Sequence, residues 1–254
     1  MAERDPSDQL ERMMERTPAE DAQLEARGVH RIGTAAALGL AAGILAVVVP
    51  IALLLLTSYA PGGFFTFNTL FVQATTILVL VGAILFLLSL FFYRRGFSVL
   101  RKVDGRYTAA SILCIIGSIG FLLLIIAAAL LLGSSNSLLQ CLHGQPSHAL
   151  SCLRSTSVFG EYTALIGFWL GWIGGLGIVM GVFLTGGRYH RGALYGGGVL
   201  YAILLLLLIG PFLDLLAPIG DVRYLLLLAP VMTVLAPGLV LAGARAVPVA
   251  RTSA

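Results

Sequence analysis

The chain has 254 residues, of which 58% are hydrophobic and only 11% are charged. Soluble domains carry about 25% charged residues, so this composition excludes a mostly water-exposed protein and favours an integral membrane protein. The formal net charge of +4 is too small to indicate a nucleic-acid binder, and three cysteines are too few for a disulfide scaffold.

Residues 1–31 form a polar N-terminal segment with eight acidic residues and five arginines. This stretch is too long for the basic start of a secretory signal. Thr17 and Glu20 form a capping box around Pro18, and Gly28 is expected to end that helix. We therefore predict short, charged N-terminal helices, which serve either as a solvated cytoplasmic extension or as a docking element.

Six apolar runs are long enough to cross a bilayer, because a transmembrane helix needs roughly 20 residues. The predicted fold is therefore all-α, a polytopic membrane helical bundle of about six transmembrane helices over residues 32–245, with a short tail at 246–254. The predicted spans are about 33–57, 68–92, 108–132, 161–185, 193–217 and 223–244.

The positions of lysine and arginine predict the orientation of the bundle. Fourteen of the sixteen lie in alternate segments: the N-terminal segment, 93–107, 186–192 and the tail. Cytoplasmic loops carry an excess of Lys and Arg, and acidic residues contribute little to this rule. We therefore expect both termini in the cytoplasm and the protein in the cell membrane.

The basic segment 93–107 is expected to contact lipid headgroups. Phe97, Val99, Leu100 and Val103 are predicted to face the membrane in an interfacial helix while the cations reach anionic phosphates. The alternative is a site for an acidic ligand or protein partner. The cations assigned to headgroup contact are Arg94, Arg95, Arg101, Lys102, Arg106 and, from the later basic turn, Arg188.

The tripeptide Gly-Arg-Tyr occurs twice, at 105–107 and at 187–189. Both copies precede an apolar run and are expected at the cytoplasmic start of a transmembrane helix. Arginine and tyrosine are common at membrane interfaces. The recurrence therefore indicates either a parallel repeat of helix pairs or a chance match.

The segment 133–160 is the only sizeable predicted external loop, and it contains Cys141 and Cys152. A disulfide that closed this loop would contribute about 3 kcal/mol in the chain-entropy model. The alternative is a metal site that also uses His143 and His148, although their spacing matches no standard zinc motif.

The fourth run is rich in glycine, and Gly167, Gly171 and Gly175 recur every four residues. A stripe of small residues lets two helix backbones approach closely. The stripe therefore predicts close helix packing, either within the chain or between copies in a homo-oligomer.

Ionisable residues inside membrane spans usually indicate function, and Asp214 is the acid placed clearly within one. It belongs either to a structural pair at the external interface, Asp214–Arg223 or Asp221–Arg223, or to a cation or proton site. Gln73 in the second run is expected either to line a polar path or to bond between helices.

No recognisable catalytic motif is present, so neither an enzyme nor a cofactor is expected. A non-catalytic subunit or scaffold of a membrane assembly is the favoured function, and a small channel or transporter with a polar site near Asp214 is the alternative. An enzyme acting on lipid is the weakest hypothesis. The expected partners are the anionic lipid bilayer and a protein partner or second copy, not nucleic acid.

Two blocks of the sequence resemble an archaeal family of multi-pass membrane proteins called domain of unknown function 973. The resemblance covers about residues 30–245 and implies an archaeal cytoplasmic membrane, but it brings no established activity. The matching positions are Arg95, Gly96, Phe97, Ser98, Leu100, Asp104 and Arg106, then Gly187, Arg188 and Tyr189.

Overall fold

A computed structural model of the protein describes residues 17–58, 69–133, 158–216 and 228–247, and within these ranges every regular element is an α-helix. The predicted all-α fold is therefore confirmed. The helices are α1 (Pro18–Ser58), α2 (Thr69–Leu100), α3 (Tyr107–Gly133), α4 (Val158–Tyr189), α5 (Gly192–Leu216) and α6 (Leu228–Arg245).

Five of these helices, α1 to α5, are long and apolar enough to cross a membrane. The sixth, α6, has 18 residues and is shorter. All of α6 except its last residue lies within the predicted span 223–244. The first residues of that span, 223–227, lie outside the described residues. Among the described residues, the protein thus has five helices that could cross a membrane and one shorter apolar helix.

Helix α1 is continuous for 41 residues, so the predicted helix end at Gly28 is wrong. Its start is as expected: the helix begins at Pro18, and the Thr17 amide donates to the Glu20 carboxylate at 3.2 Å. Gly28 instead lies against α2, where a Cβ would come within 2.7 Å of Leu100 Cγ. The glycine permits a close helix crossing and does not terminate the helix.

The six helices form a closed ring in chain order. Each helix packs on the next along the chain, and α6 packs on α1. Successive helices run in opposite directions, so the turns 101–106 and 190–191, the start of α1 and the end of α6 lie at the same end. We call this end the basic end, and the other half of the bundle the far half.

The buried core lies at the basic end. The largest fully buried side chains come from all six helices, at the parts of each helix that lie towards the basic end. They include Tyr93, Tyr107, Phe97, Ile32 and Leu90. Elsewhere, large apolar side chains such as Ile84 and Ile119 remain exposed on the outer surface of the ring, as expected for a surface in contact with lipid.

The segment 93–107 does not form a separate interfacial helix. Helix α2 continues to Leu100, and a short turn of six residues leads into α3. Phe97 and Leu100, predicted to face the membrane, are 0% and 1% exposed. Their side chains fill the core because α1, α3 and α4 surround this end of α2.

The two Gly-Arg-Tyr copies occupy different structural positions. Tyr107 begins α3, whereas residues 187–189 end α4, two residues before α5 begins. The expected position of the second copy at a helix start is therefore wrong, and the two copies are not equivalent positions of a repeat. They are instead brought together at the basic end.

The glycine stripe of α4 packs within the chain, against glycines of α3. A Cβ at Gly167 would lie 2.9 Å from the Gly120 carbonyl oxygen, and one at Gly117 would collide with Gly174 Cα. Gly171 lies beside the Phe121 ring of α3. Gly175 does not belong to this seam and faces Leu205 of α5.

Candidate functional site

An ionic cluster connects three parts of the chain at the basic end. Arg188, the penultimate residue of α4, pairs with Glu25 of α1 and donates from Nη1 to Asp104 Oδ2 at 3.3 Å. The Tyr189 hydroxyl donates to the second Glu25 oxygen at 3.1 Å. The three charged side chains are each about one-third exposed or less, so this cluster is partly shielded from water.

Local sequence positions each member of this cluster. Asp104 precedes α3, and its carboxylate accepts from the Arg106 amide at 3.0 Å, a cap that fixes the acid at the helix start. His190 has a φ of 49°, a left-handed conformation that ends α4. The following Arg191 amide donates to the Gly186 carbonyl at 3.2 Å, which holds the reversal into α5.

An aromatic layer lies directly beneath the ionic cluster. The rings of Tyr93 and Phe97 stack with centroids 5.8 Å apart, and Phe97 and Tyr107 stack at 6.2 Å. Phe97 inserts against Gly181 of α4, where any Cβ would overlap the ring. Tyr107, Arg188, Tyr189 and the Phe97 segment thus form a plug where α1, α2, α3 and α4 meet at the basic end.

Beyond the plug, the ring encloses a cavity of about 470 Å³. Its wall comes from α1, α2, α3, α5 and α6, and it consists almost entirely of apolar side chains. The polar residues on this wall are Tyr201 and Thr233, and the Thr233 hydroxyl is already bonded to the Pro230 carbonyl at 2.6 Å. No charged residue is among the described residues of the wall.

A hydrogen bond between α1 and α2 lies near the inner end of the cavity. The buried Ser89 hydroxyl donates to the Ala35 carbonyl at 2.7 Å. A Cβ at Gly39, which lines the cavity, would lie 3.2 Å from Ser89 Oγ and 3.5 Å from the Tyr201 hydroxyl. These polar atoms separate the apolar cavity from the aromatic layer.

Several residues selected from the sequence have no described side chain. Asp214 lies in α5 and Gln73 in α2, but only their helical backbone is described. Arg223, Cys141 and Cys152 lie outside the described residues, as do His143 and His148. The proposed polar site and the disulfide therefore stay predictions.

Most of the basic side chains assigned to headgroups lie on the outside of the basic end. Arg95, Arg101, Lys102 and Arg106 are exposed and Arg94 is partly exposed; the Arg95 guanidinium lies 4.6 Å from the centre of the Phe91 ring. Arg188 differs from them, because it is paired within the chain with Glu25 and Asp104.

Sequence reasoning missed this pairing because its acids lie 163 and 84 residues away from Arg188 along the chain. Glu25 belonged to the segment expected to stay outside the bundle. The resemblance did contain a signal, since Asp104 and Arg188 both lie in the segments that carry it. Among the described residues, no group of three or more His, Cys, Asp or Glu side chains forms a possible metal site.

Residues 25–236 match the family described as Protein of unknown function (DUF973). The chain belongs to this family. The match begins at Glu25 and includes all three members of the ionic cluster as well as the cavity wall. Among curated proteins and solved structures, none matches the chain. The DUF973 assignment confirms the resemblance and carries no activity with it.

Proposed function

We propose that this DUF973 protein is a non-catalytic subunit or scaffold of an assembly in the cell membrane, with both termini in the cytoplasm. The observation that carries the proposal is the plug at the basic end. Ion pairs, stacked rings and glycine contacts join α1, α2, α3 and α4 there, and such dense contacts favour a rigid platform.

The platform presents a fixed basic surface. Arg101 and Arg106 are exposed on the turn between α2 and α3, and this turn is held by backbone hydrogen bonds and by the Asp104 cap. A rigid array of cations suits an acidic protein segment or anionic headgroups. Because the backbone of the turn is already ordered, binding costs only the conformational entropy of the arginine side chains. This surface is where we expect the assembly to contact its partner.

The test is mild detergent extraction of the tagged protein from its native membranes, followed by affinity isolation and native mass spectrometry. The expected result is a defined complex with another protein, and the double variant Arg101→Gln/Arg106→Gln should lose most of that partner. Arg27→Gln removes an exposed cation of α1 at the same end but outside the turn 101–106, and it should retain the complex. A lone monomer or homo-oligomer would contradict the proposal.

The orientation has its own test. Single cysteines placed at the exposed positions 101 and 106 in a variant lacking native cysteines should react with a membrane-impermeant maleimide only after the cells are opened. Reaction in intact cells would reverse the proposed topology.

The second candidate is a small channel or transporter with a polar site near Asp214 on α5, and the cavity is the space in which its cargo would lie. Its apolar wall suits an uncharged, apolar cargo better than an ion, since a bare ion in such surroundings loses its hydration. In this case Asp214→Asn should abolish flux in reconstituted vesicles while the protein remains folded. Unchanged flux in the variant would exclude a role for that carboxylate.

A further inference from the structure

We propose that the central cavity holds a hydrocarbon chain of a membrane lipid, inserted from the far half of the bundle. This inference does not depend on the scaffold function. The cavity of about 470 Å³ falls in the range of roughly 300–1,000 Å³ that is common for ligand pockets. Its position, wall chemistry and rim each point to a lipid chain.

The cavity lies deep within the predicted bilayer. On α2 its wall extends from Phe86 to Leu78, and on α5 from Tyr201 to Leu208. At 1.5 Å per residue, these positions are about 12–25 Å from Arg94 on α2 and from Gly192 on α5. The cavity therefore occupies the middle and far part of a hydrocarbon layer about 30 Å thick.

The wall chemistry selects an apolar occupant. Glycine, alanine, leucine and phenylalanine side chains make up nearly all of the lining, and Thr233 satisfies its hydroxyl on its own helix. A charged headgroup would lose its hydration in these surroundings without gaining a charged partner among the described lining residues. In the cavity a hydrocarbon chain contacts apolar groups, as it does in the bilayer. It also gives the lining atoms the dispersion contacts that they would lack around an empty space.

The rim connects the cavity to the lipid-facing surface. Leu78 and Leu208 are the lining residues furthest from the basic end on their helices, and they are 41% and 37% exposed. The opposite end is closed by the aromatic layer and the ionic cluster. A chain can therefore enter from the far side while its headgroup stays at that interface.

The size of the cavity excludes a packed α-helix as the occupant. A packed helix is about 10–12 Å across with its side chains. One turn of such a helix would already occupy a cavity of this volume, and the remaining turns would collide with the plug. A single lipid chain is narrow enough to reach the inner end, where Tyr201 lines the wall with only 5% of its surface exposed.

The test is photocrosslinking of the full chain in phosphatidylcholine nanodiscs that contain a phosphatidylcholine with a diazirine at the end of one acyl chain. Labelled residues are identified by mass spectrometry. Tyr201 and Ile203 are two residues apart on α5, but Ile203 is 36% exposed, whereas Tyr201 is 5% exposed and lines the cavity. We expect label on both residues; label on Ile203 alone would overturn the proposal.

A space-filling variant and its matched control sharpen this result. Gly82→Leu adds a side chain at a lining position where a Cβ meets only Leu45 Cβ at 3.8 Å. It should reduce the labelling of Tyr201 at least five-fold and leave Ile203 unchanged. Ile84→Phe adds volume two residues away on the exposed surface and should leave both residues labelled as in the wild type.

Undiminished labelling of Tyr201 in a folded Gly82→Leu protein would also overturn the proposal. Should this variant fail to fold, Ala46→Leu on α1 fills the same cavity from another helix, with the same expected loss of label. The wild-type pattern decides the question independently of both variants.

Discussion

The seam between α3 and α4 and the wall of the cavity both contain glycines in apolar helices, yet Gly82 of the wall packs unlike the seam glycines. Gly43, another glycine of the wall, resembles the seam, because an added Cβ would collide with the Thr233 carbonyl of α6. At Gly117 and Gly174 the two backbones touch, and an added Cβ would collide with the facing Cα. At Gly82 the nearest side-chain atom to such a Cβ is 3.8 Å away. Glycine in a transmembrane helix therefore permits close contact in one place and leaves a space in another.

The difference is functional as well as structural. Within lipid, helices associate through van der Waals packing and hydrogen bonds, because burial of apolar surface brings little gain there. The seam supplies that packing on one side of the ring. Beside Gly82 the cavity wall leaves a gap, which the proposed lipid chain would fill.

The largest effect is expected for Gly117→Ala. Overpacking costs about 1–3 kcal/mol, and here the new methyl group meets backbone that has no rotamer to change, so we expect a loss of about 2 kcal/mol in the free energy of unfolding. The measurement is helix unfolding by SDS in mixed micelles, followed by circular dichroism. Gly192→Ala, with open space around its Cβ, is the control; equal stability of both variants would contradict the close seam.

Arg188→Ala tests how much the plug at the basic end contributes to stability. It leaves Glu25 and Asp104 without their cation, and we expect a loss of about 1 kcal/mol because the groups are partly exposed. Arg106→Ala, which removes an exposed cation on the adjacent turn, should change the unfolding free energy by less than about 0.5 kcal/mol. In a double-mutant cycle with Glu25→Ala, the losses should be less than additive, and fully additive losses would argue against direct pairing.

Gly82→Ala should stabilise the protein, in contrast to the same change at Gly117. Alanine is favoured over glycine in a helix by about 0.8–1.0 kcal/mol, and the space beside Gly82 accepts the methyl group without strain. The same SDS unfolding assay should show a gain of up to about 0.8 kcal/mol. Destabilisation by this variant would mean that the cavity wall is as tightly packed as the seam.

Ser89→Ala has the smallest expected effect. It removes the hydrogen bond from α2 to the Ala35 carbonyl of α1, and such bonds within membranes are worth about 0.6 kcal/mol on average. Ser118→Ala removes a bond of similar length to Cys114 within α3 itself, and it should have no measurable effect on helix association. Equal losses in the two variants would show that the Ser89 bond does not join the helices.

Composition and hydrophobic run length determined the class of the protein and the existence of its helices. Five predicted spans lie inside α1 to α5 to within one residue, because approximately 20 apolar residues have few alternatives to a helix in lipid. The capping box at Thr17 and Pro18 also predicted the start of α1 correctly. These features are local, so the sequence near each of them was sufficient.

The tertiary structure alone decided which residues meet. The sequence predicts a helix end at Gly28, but Gly28 lies where α1 crosses α2. The sequence predicts a lipid contact for Phe97, but its side chain is buried in the core. Arg188 pairs with acidic residues of two distant segments, and the glycine stripe around Gly167 packs against α3. Each outcome depends on the order in which the helices close into a ring. Hydrophobicity alone cannot determine that order, because the apolar runs of these helices offer several faces that can pack.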